Sequence, residues 1–339
     1  MTTDVPAVLE AWGCPDATIT PIHVGLINLT FQIDAPGGRF VLQRLHPVFR
    51  GEVNQDIFAI TQHLVRKGIP TPTVVPTRSG QLWHDASDGS WRMLTWLPQA
   101  LVLAPTTAQF KSAGALVGRF HEALLDLEHS FVFSRPGAHD TAAHLARLEA
   151  ALDTHRDHRD RDQIAPIAEG ILAHALPAIP ALPARIIHGD LKISNVLFDG
   201  DRAHALIDLD TLQHGTIAIE IGDALRSWCN RAGEDVRAAA VDETVFAAAT
   251  GGYVRAARDW LTEGEIHSIV PGFETIALEL ASRFCLDAFE ERYFRWDPER
   301  FASAAEHNRV RAEGQLTYAR DIAKRRRTLE GHLRSLTST

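Results

Sequence analysis

The chain has 339 residues, 45% hydrophobic and 23% charged, which suits one or two globular domains and excludes a disordered or fibrous protein. Lys and Arg total 34 against 43 Asp and Glu, a net charge of -9, so the chain lacks the basic footprint of a nucleic-acid binder.

The first residues, MTTDVPAVLEAWG, show no basic segment followed by an apolar one. No later stretch reaches the roughly 18 uninterrupted apolar residues of a membrane span. A cytoplasmic protein without membrane contact is expected. Short strands are predicted at 18–24, 29–34 and 39–44, the last two joined across Ala35-Pro36-Gly37-Gly38. Helical spacing of Val53, Ile57, Ile60 and Leu64 follows over 53–67, with Gly68 placed to stop it. Strands are predicted at 81–84 and 91–96, and a boundary near 97–101. The chain then turns helical, with Ala113, Leu116, Val117, Phe120 and Leu124 on one face and a second helix from Thr141 past Leu148. The run 153–162 reads as a solvated charged stretch. Strands at 184–188, 196–199 and 203–209 precede helices beyond 219, one opening on the capping box Thr262-x-x-Glu265. Cys14, Cys229 and Cys285 form no C-x-x-C pair, which excludes a cysteine zinc site or disulfide framework and fits a reducing compartment.

The chemistry concentrates in 186–211, IIHGDLKISNVLFDGDRAHALIDLDT. Phosphoryl transfer from a nucleotide explains each part. An attacking hydroxyl needs a carboxylate to orient it and take its proton, which suits Asp190. Magnesium prefers hard oxygen ligands beside phosphates; Asn195 supplies an amide oxygen and Asp208 a carboxylate. Lys192 can offset charge on the transferring group. The spacing from Asp190 to Asn195 is that of the protein-kinase pattern H-R-D-x-x-x-x-N followed by D-F-G, with Gly189 for the Arg and Leu209-Asp210 for Phe-Gly. Two literal H-R-D triplets, at 155–157 and 158–160, fail on context: no apolar strand leads in, and Asp162 and Ala165 stand where Asn is needed. With the departures named, the segment resembles the aminoglycoside phosphotransferase/choline kinase family.

That resemblance implies an α+β, protein-kinase-like two-lobed fold: a small β-rich lobe clamping ATP (1–97) and a larger helical lobe for catalysis and substrate (98–339). The segment Gly25 to Thr30, with Gly25 and Asn28, is a candidate phosphate-covering loop, or else a plain hairpin turn. No G-x-x-x-x-G-K-[ST] occurs, which argues against a P-loop enzyme. At the end of the third strand, Arg44 either grips phosphate oxygens or is a solvated edge residue, and its acidic partner is not evident beside Gln55. Thr95, Trp96 and Leu97 are the expected hinge, where backbone groups would face adenine. Asp223 is expected to cap a helix or tie the catalytic loop to it. The short motifs GLINLT, FVLQRL, IDLDT, GDALR and SRFCLDAFEERYF are similar to the N-acetylhexosamine 1-kinase branch, with Glu220-Ile221 departing from it. Substrate contacts are expected from Asp210, Arg283, Asp287, Tyr293 and Trp296, the Arg283/Asp287 spacing being also that of a helix ion pair. The expected reaction moves the γ-phosphoryl of ATP, with Mg2+, to a small-molecule hydroxyl. A sugar or amino sugar comes first; homoserine, choline or an aminoglycoside, or an inactive nucleotide-binding scaffold, are the alternatives.

Overall fold

The computed structural model describes residues 4–22, 28–134, 137 and 139–337, so Gly25 and its neighbours in 23–27 lie outside the described residues. A short helix α1 (Val5–Leu9), capped by Asp4, precedes a five-stranded antiparallel sheet. Its strands are β1 (Thr18–Ile22), β2 (Leu29–Ala35), β3 (Gly38–Arg44), β4 (His84–Ala86) and β5 (Gly89–Thr95), in the order β1-β2-β3-β5-β4. Helix α2 (Val53–Arg66) connects β3 to β4. Successive side chains of a strand point to opposite faces. On one face Ile33, Leu42, Trp91 and Met93 pack against Val5, Val8 and Leu9 of α1. On the other, Val41, Gln43, Arg92 and Leu94 line a cleft toward the rest of the molecule.

The remainder is mainly helical. Strand β6 (Ala100–Leu101) is followed by α3 (Thr107–Ala123), α4 (Thr141–Thr154) and α5 (Arg161–Leu172). Four short strands come next: β7 (Arg185–Ile187), β8 (Val196–Asp199), β9 (Arg202–Leu206) and β10 (Gln213–Gly215). β6, β8 and β9 form one sheet, and β7 pairs with β10. Helices α6 (Ile217–Trp228), α7 (Glu243–Ala257), α8 (Glu263–Glu290) and α9 (Ala304–Thr337) complete the chain. Among the described residues, no helix is long and apolar enough to cross a membrane.

α8 runs through the core, burying Ile269, Phe273, Leu278 and Phe284. Each such side chain contributes roughly 1.5–3 kcal/mol. α6 crosses α8 so closely that a Cβ on Gly272 would lie 1.9 Å from the Ala218 carbonyl oxygen, and one on Gly222 would lie 2.5 Å from the Gly272 carbonyl carbon. Glycine at this crossing brings α6, and with it Glu220 and Asp223, against the segment 186–211.

The strand expected at 203–209 ends at Leu206, because Leu209–Thr211 closes as a 3-10 turn. The strand expected at 81–84 begins at His84; Gln81 instead closes a turn, its carbonyl accepting from the Thr77 amide. The charged run 153–162 leads directly into α5, whose Ile164, Ala168 and Ile171 are buried.

Candidate active site

β7 leads the chain into His188-Gly189-Asp190, and five hydrogen bonds fix that turn. Glu220 of α6, fully enclosed, accepts from the amides of His188 at 2.8 Å and Gly189 at 3.0 Å. The His188 ring donates from Nε2 to the Ile207 carbonyl at 2.9 Å, and its Nδ1 accepts from the Asp190 amide at 3.3 Å, which sets the tautomer. Thr211 Oγ1 donates to the His188 carbonyl at 2.8 Å. Gly189 has φ +79°, and a Cβ there would meet the Thr211 carbonyl oxygen at 2.5 Å. The arginine of H-R-D therefore cannot stand here. Burial works against the Glu220 carboxylate, but its bond to His121, the nearby His121 and His188 rings and the Gly189 amide together hold its carboxyl below the usual range. Glu220, which sequence reasoning took only as a departure, is thus the anchor of the His188–Asp190 turn. Asp223, expected either to cap the helix or to tie the loop to it, pairs with Arg226 at 3.0 Å. The only signal was Glu220's place one turn before Asp223 on the same helix.

Asp190 Oδ2 accepts from Lys192 Nζ at 2.7 Å and Asn195 Nδ2 at 3.2 Å, which leaves Oδ1 without a partner among the described residues. Asn195 also donates to the Asp190 carbonyl at 2.9 Å, so its own carbonyl oxygen faces outward as a potential metal ligand. Asp208 follows β9 in a left-handed conformation, φ 64° and ψ 57°, uncommon for a residue with a Cβ. Lys192 Nζ lies 3.9 Å from its Oδ2. Burial, then the charges of Asp210 and Asp190, push the Asp208 carboxyl up to about 6. Lys192 is held protonated by Asp190 and Asp208 against the burial that opposes its charge.

Two cavities meet at this cluster. One, of about 480 Å³, lies under the sheet and is lined by Val41, Gln43, Arg92, Thr95, Trp96, Leu97, Leu197 and Ile207, with Lys192, Asn195 and Asp208 at its floor. Asn28 also borders it, donating to Asp210 Oδ2 at 2.8 Å and accepting the His46 amide at 2.9 Å. The other, of about 530 Å³, has Asp190 and Gly189 at one end and walls from α4, α6, α8 and the turn after α8. Arg283 and Tyr293 line it, with Tyr293 60% exposed. Glu279 accepts from His139 at 3.1 Å and Thr141 at 2.6 Å. Burial disfavours the His139 charge, but Glu279 more than offsets it and raises the ring's pKa.

Three expected residues are committed elsewhere, and Trp296 lies outside both linings. Arg44 shares the face of Leu42, away from the cleft, and pairs with Asp88 at 2.9 Å; the alternation of β3 turns Gln43 inward instead. Asp287 accepts from the amides of Arg292, Tyr293 and Phe294 at 2.8–2.9 Å and from Asn308 Nδ2 at 2.9 Å, so its carboxylate is spent shaping the turn that carries Tyr293. Asp210 borders the second cavity but is 2% exposed, its carboxylate held by Arg92 and Asn28. Arg92, buried in β5 opposite Gln43, was missed, although strand alternation places it on the cleft face.

A model of the phosphotransferase enzyme family matches residues 18–261. A homoserine kinase from Xanthobacter autotrophicus is 27% identical over 67% of this chain and 71% of its own. One from Methylobacillus flagellatus is 26% identical over 91% of this chain and 86% of its own. An aminoglycoside phosphotransferase from Alicyclobacillus acidocaldarius superposes with TM-score 0.60 at 16% identity, covering 98% of this chain and 96% of that one. A choline/ethanolamine kinase family protein from Mesorhizobium loti gives 0.58 at 15%, covering 99% and 98%. None of these relatives bears on the hexosamine branch. With the family match spanning well over half of its length and the kinase-like architecture in place, the chain belongs to the phosphotransferase enzyme family and is a small-molecule kinase.

Proposed function

We propose that this kinase uses ATP and Mg2+ to phosphorylate the hydroxyl of a small amino alcohol of the homoserine type. Residues 1–97 act as the nucleotide-clamping lobe and 98–339 as the catalytic and substrate lobe. The observation that carries the reading is the Asp190, Lys192, Asn195 and Asp208 cluster at the meeting point of two cavities. Adenine packs between Val41 above and Leu197 and Ile207 below, facing the backbone of Thr95 to Leu97. The acceptor enters the second cavity with its hydroxyl toward Oδ1 of Asp190, which has no partner among the described residues.

Asp190 orients that hydroxyl and receives its proton as the phosphoryl group transfers. Lys192 stays charged and offsets negative charge at the transferring group. Among the described residues, no group of three or more His, Cys, Asp or Glu forms a metal cluster. Magnesium needs no such cage, because phosphates and water complete its shell. Asn195 and Asp208 fit it: one has a carbonyl oxygen with no partner among the described residues, and the other is a carboxylate whose pKa is raised by burial and by the charges of Asp210 and Asp190, so a cation beside it is favoured. When bound, the ion neutralises charge between adjacent phosphates.

The acceptor cavity carries charges of both signs, which suits an ammonium together with a carboxylate. Asp223 and Glu279 stand on its walls, while Arg283 has no acidic partner among the described residues and can take a carboxylate. The homoserine kinase name of the curated relatives supports this choice. A sugar is the second reading, favoured by the exposed Tyr293 ring beside Arg283, a surface that suits the C–H face of a pyranose. The test is a magnesium–ATP phosphorylation screen over homoserine, free sugars, amino sugars, choline and aminoglycosides. Phosphorylation of homoserine above all others is expected. Anomeric phosphorylation of a hexosamine with homoserine inert would move the assignment to the second reading, and no transfer to any acceptor would leave a scaffold.

A further inference from the structure

In protein kinases a lysine on the third strand is held by a carboxylate from the following helix, and phosphoryl transfer requires that pair. Both places are neutral amides here. Gln43 faces the cleft from β3, and Asn54 approaches from the first turn of α2. The nearby acid, Asp56, is occupied by the amides of Val132 and Phe133, each at 2.9 Å, and by His129 at 2.8 Å. Between the two amides comes a guanidinium from another strand.

Arg92 of β5, opposite Gln43 in register, is 1% exposed. Its Nε and Nη2 donate to Gln43 Oε1 at 3.0 and 2.7 Å, and its Nη1 reaches Asn54 Oδ1 at 3.5 Å. Nη1 and Nη2 together clasp the Asp210 carboxylate, the Nη2–Oδ2 bond measuring 2.9 Å. The same Oδ2 accepts from Asn28, which belongs to the segment expected as a phosphate-covering loop. Asp210 stands two residues after Asp208, in the turn that gives Asp208 its left-handed backbone. A buried ion pair adds little net stability over an apolar pair, so stability alone gives no reason for this one.

We propose that Arg92 and Asp210 are positioning residues that replace the strand–helix ion pair of protein kinases, transposed to β5 and the catalytic segment. The pair keys the N-terminal sheet directly to the turn carrying Asp208 and, through Asn28, to the edge of the nucleotide site. With its guanidinium already saturated, Arg92 does not bind phosphate; Lys192 is the cation at the phosphates. The inference rests on the phosphoryl-transfer reading of the cluster, but its primary readout needs no acceptor.

The experiment compares magnesium–ATP affinity by calorimetry, melting temperature and turnover for wild type, Asp210→Asn, Arg92→Lys and the neutral double variant Arg92→Gln/Asp210→Asn. The single Asp210→Asn change strands a buried cation and should lower the melting temperature as well as the affinity. The double variant removes both charges. It should recover most of the melting temperature while magnesium–ATP affinity stays weaker by about 10–100-fold, the usual cost of losing a group that orients a ligand-binding residue. A double variant that regains wild-type affinity and turnover along with its stability would overturn the proposal, since the pair would then be structural only. Should the double variant not fold, Arg92→Lys decides: it keeps the charge but loses the planar fork. Wild-type affinity in Arg92→Lys overturns the proposal, and a loss of about tenfold or more supports it. A wild type that binds ATP but phosphorylates nothing would remove the acceptor reading and leave this comparison standing.

Discussion

Asp208 joins backbone strain to electrostatic strain at one residue. Its carboxyl, pushed up to about 6 by burial and by Asp210 and Asp190, favours the protonated form in the folded protein. The sign follows from linkage: a raised carboxyl pKa makes the ionised side chain oppose folding above about pH 6, and that opposition fades as pH falls through this value. Asp208→Asn should therefore melt higher than wild type at neutral pH, with the gap closing in acid, while losing metal-dependent nucleotide binding. Scanning calorimetry across pH checks the first part, and a lower melting point at neutral pH would contradict it. In wild type, magnesium–ATP affinity should rise as pH climbs through about 6, because the ion must displace a proton below it. Asn195→Ala should weaken binding less than Asp208→Ala, since an amide contributes an oxygen without charge. Arg44 gives the opposite expectation. It pairs with Asp88 on the far face of β3, so Arg44→Ala should leave the ATP dependence of steady-state rates unchanged. A raised KM for ATP would return it to the phosphate site.

At the scale of elements, the site depends on what α6 holds and how closely it is held. Glu220 fixes the backbone of the His188–Asp190 turn through two amides and is buried against His121. Glu220→Gln keeps the shape but sets an amide N–H against one of those donors. It should cost roughly 3 kcal/mol of stability and lower turnover, both measurable by denaturant melts and initial rates; wild-type stability would contradict the anchoring role. The β3 and β5 strands were legible from composition and turn residues, but which side chain faced the cleft was a matter of register. Reading alternation from Leu42 inward to Gln43, and from Trp91 and Met93 to Arg92, would have found the cation that the end of β3 does not supply. Helix α5 was hidden by the charges before it, although Ile164, Ala168 and Ile171 carry helical spacing. β6 and β10, of two and three residues, are too short for any periodicity to show.

Across the whole molecule, legibility follows distance along the chain. Asp190, Lys192, Asn195 and Asp208 fall within one strand–turn–strand segment, so their spacing alone brings them together, and the family match extends that reading over most of the chain. The second cavity, proposed for the acceptor, is different. It is gathered from α4, α6, α8 and the turn at Tyr293, elements spread along the chain from Thr141 to Tyr293, and no local pattern announces which of their side chains remain free. Asp287 shows the difficulty: a helix acid near an aromatic looks like a ligand contact, yet it is consumed by the backbone of the turn it shapes. The central claim is that Asp190 acts on the acceptor hydroxyl and not on the nucleotide. It is tested most directly by measuring magnesium–ATP affinity and single-turnover phosphoryl transfer on wild type and Asp190→Asn together. The account expects nearly unchanged affinity and a rate lower by roughly 10²–10⁴-fold, the scale of a lost general base; equal rates in the two proteins would contradict it.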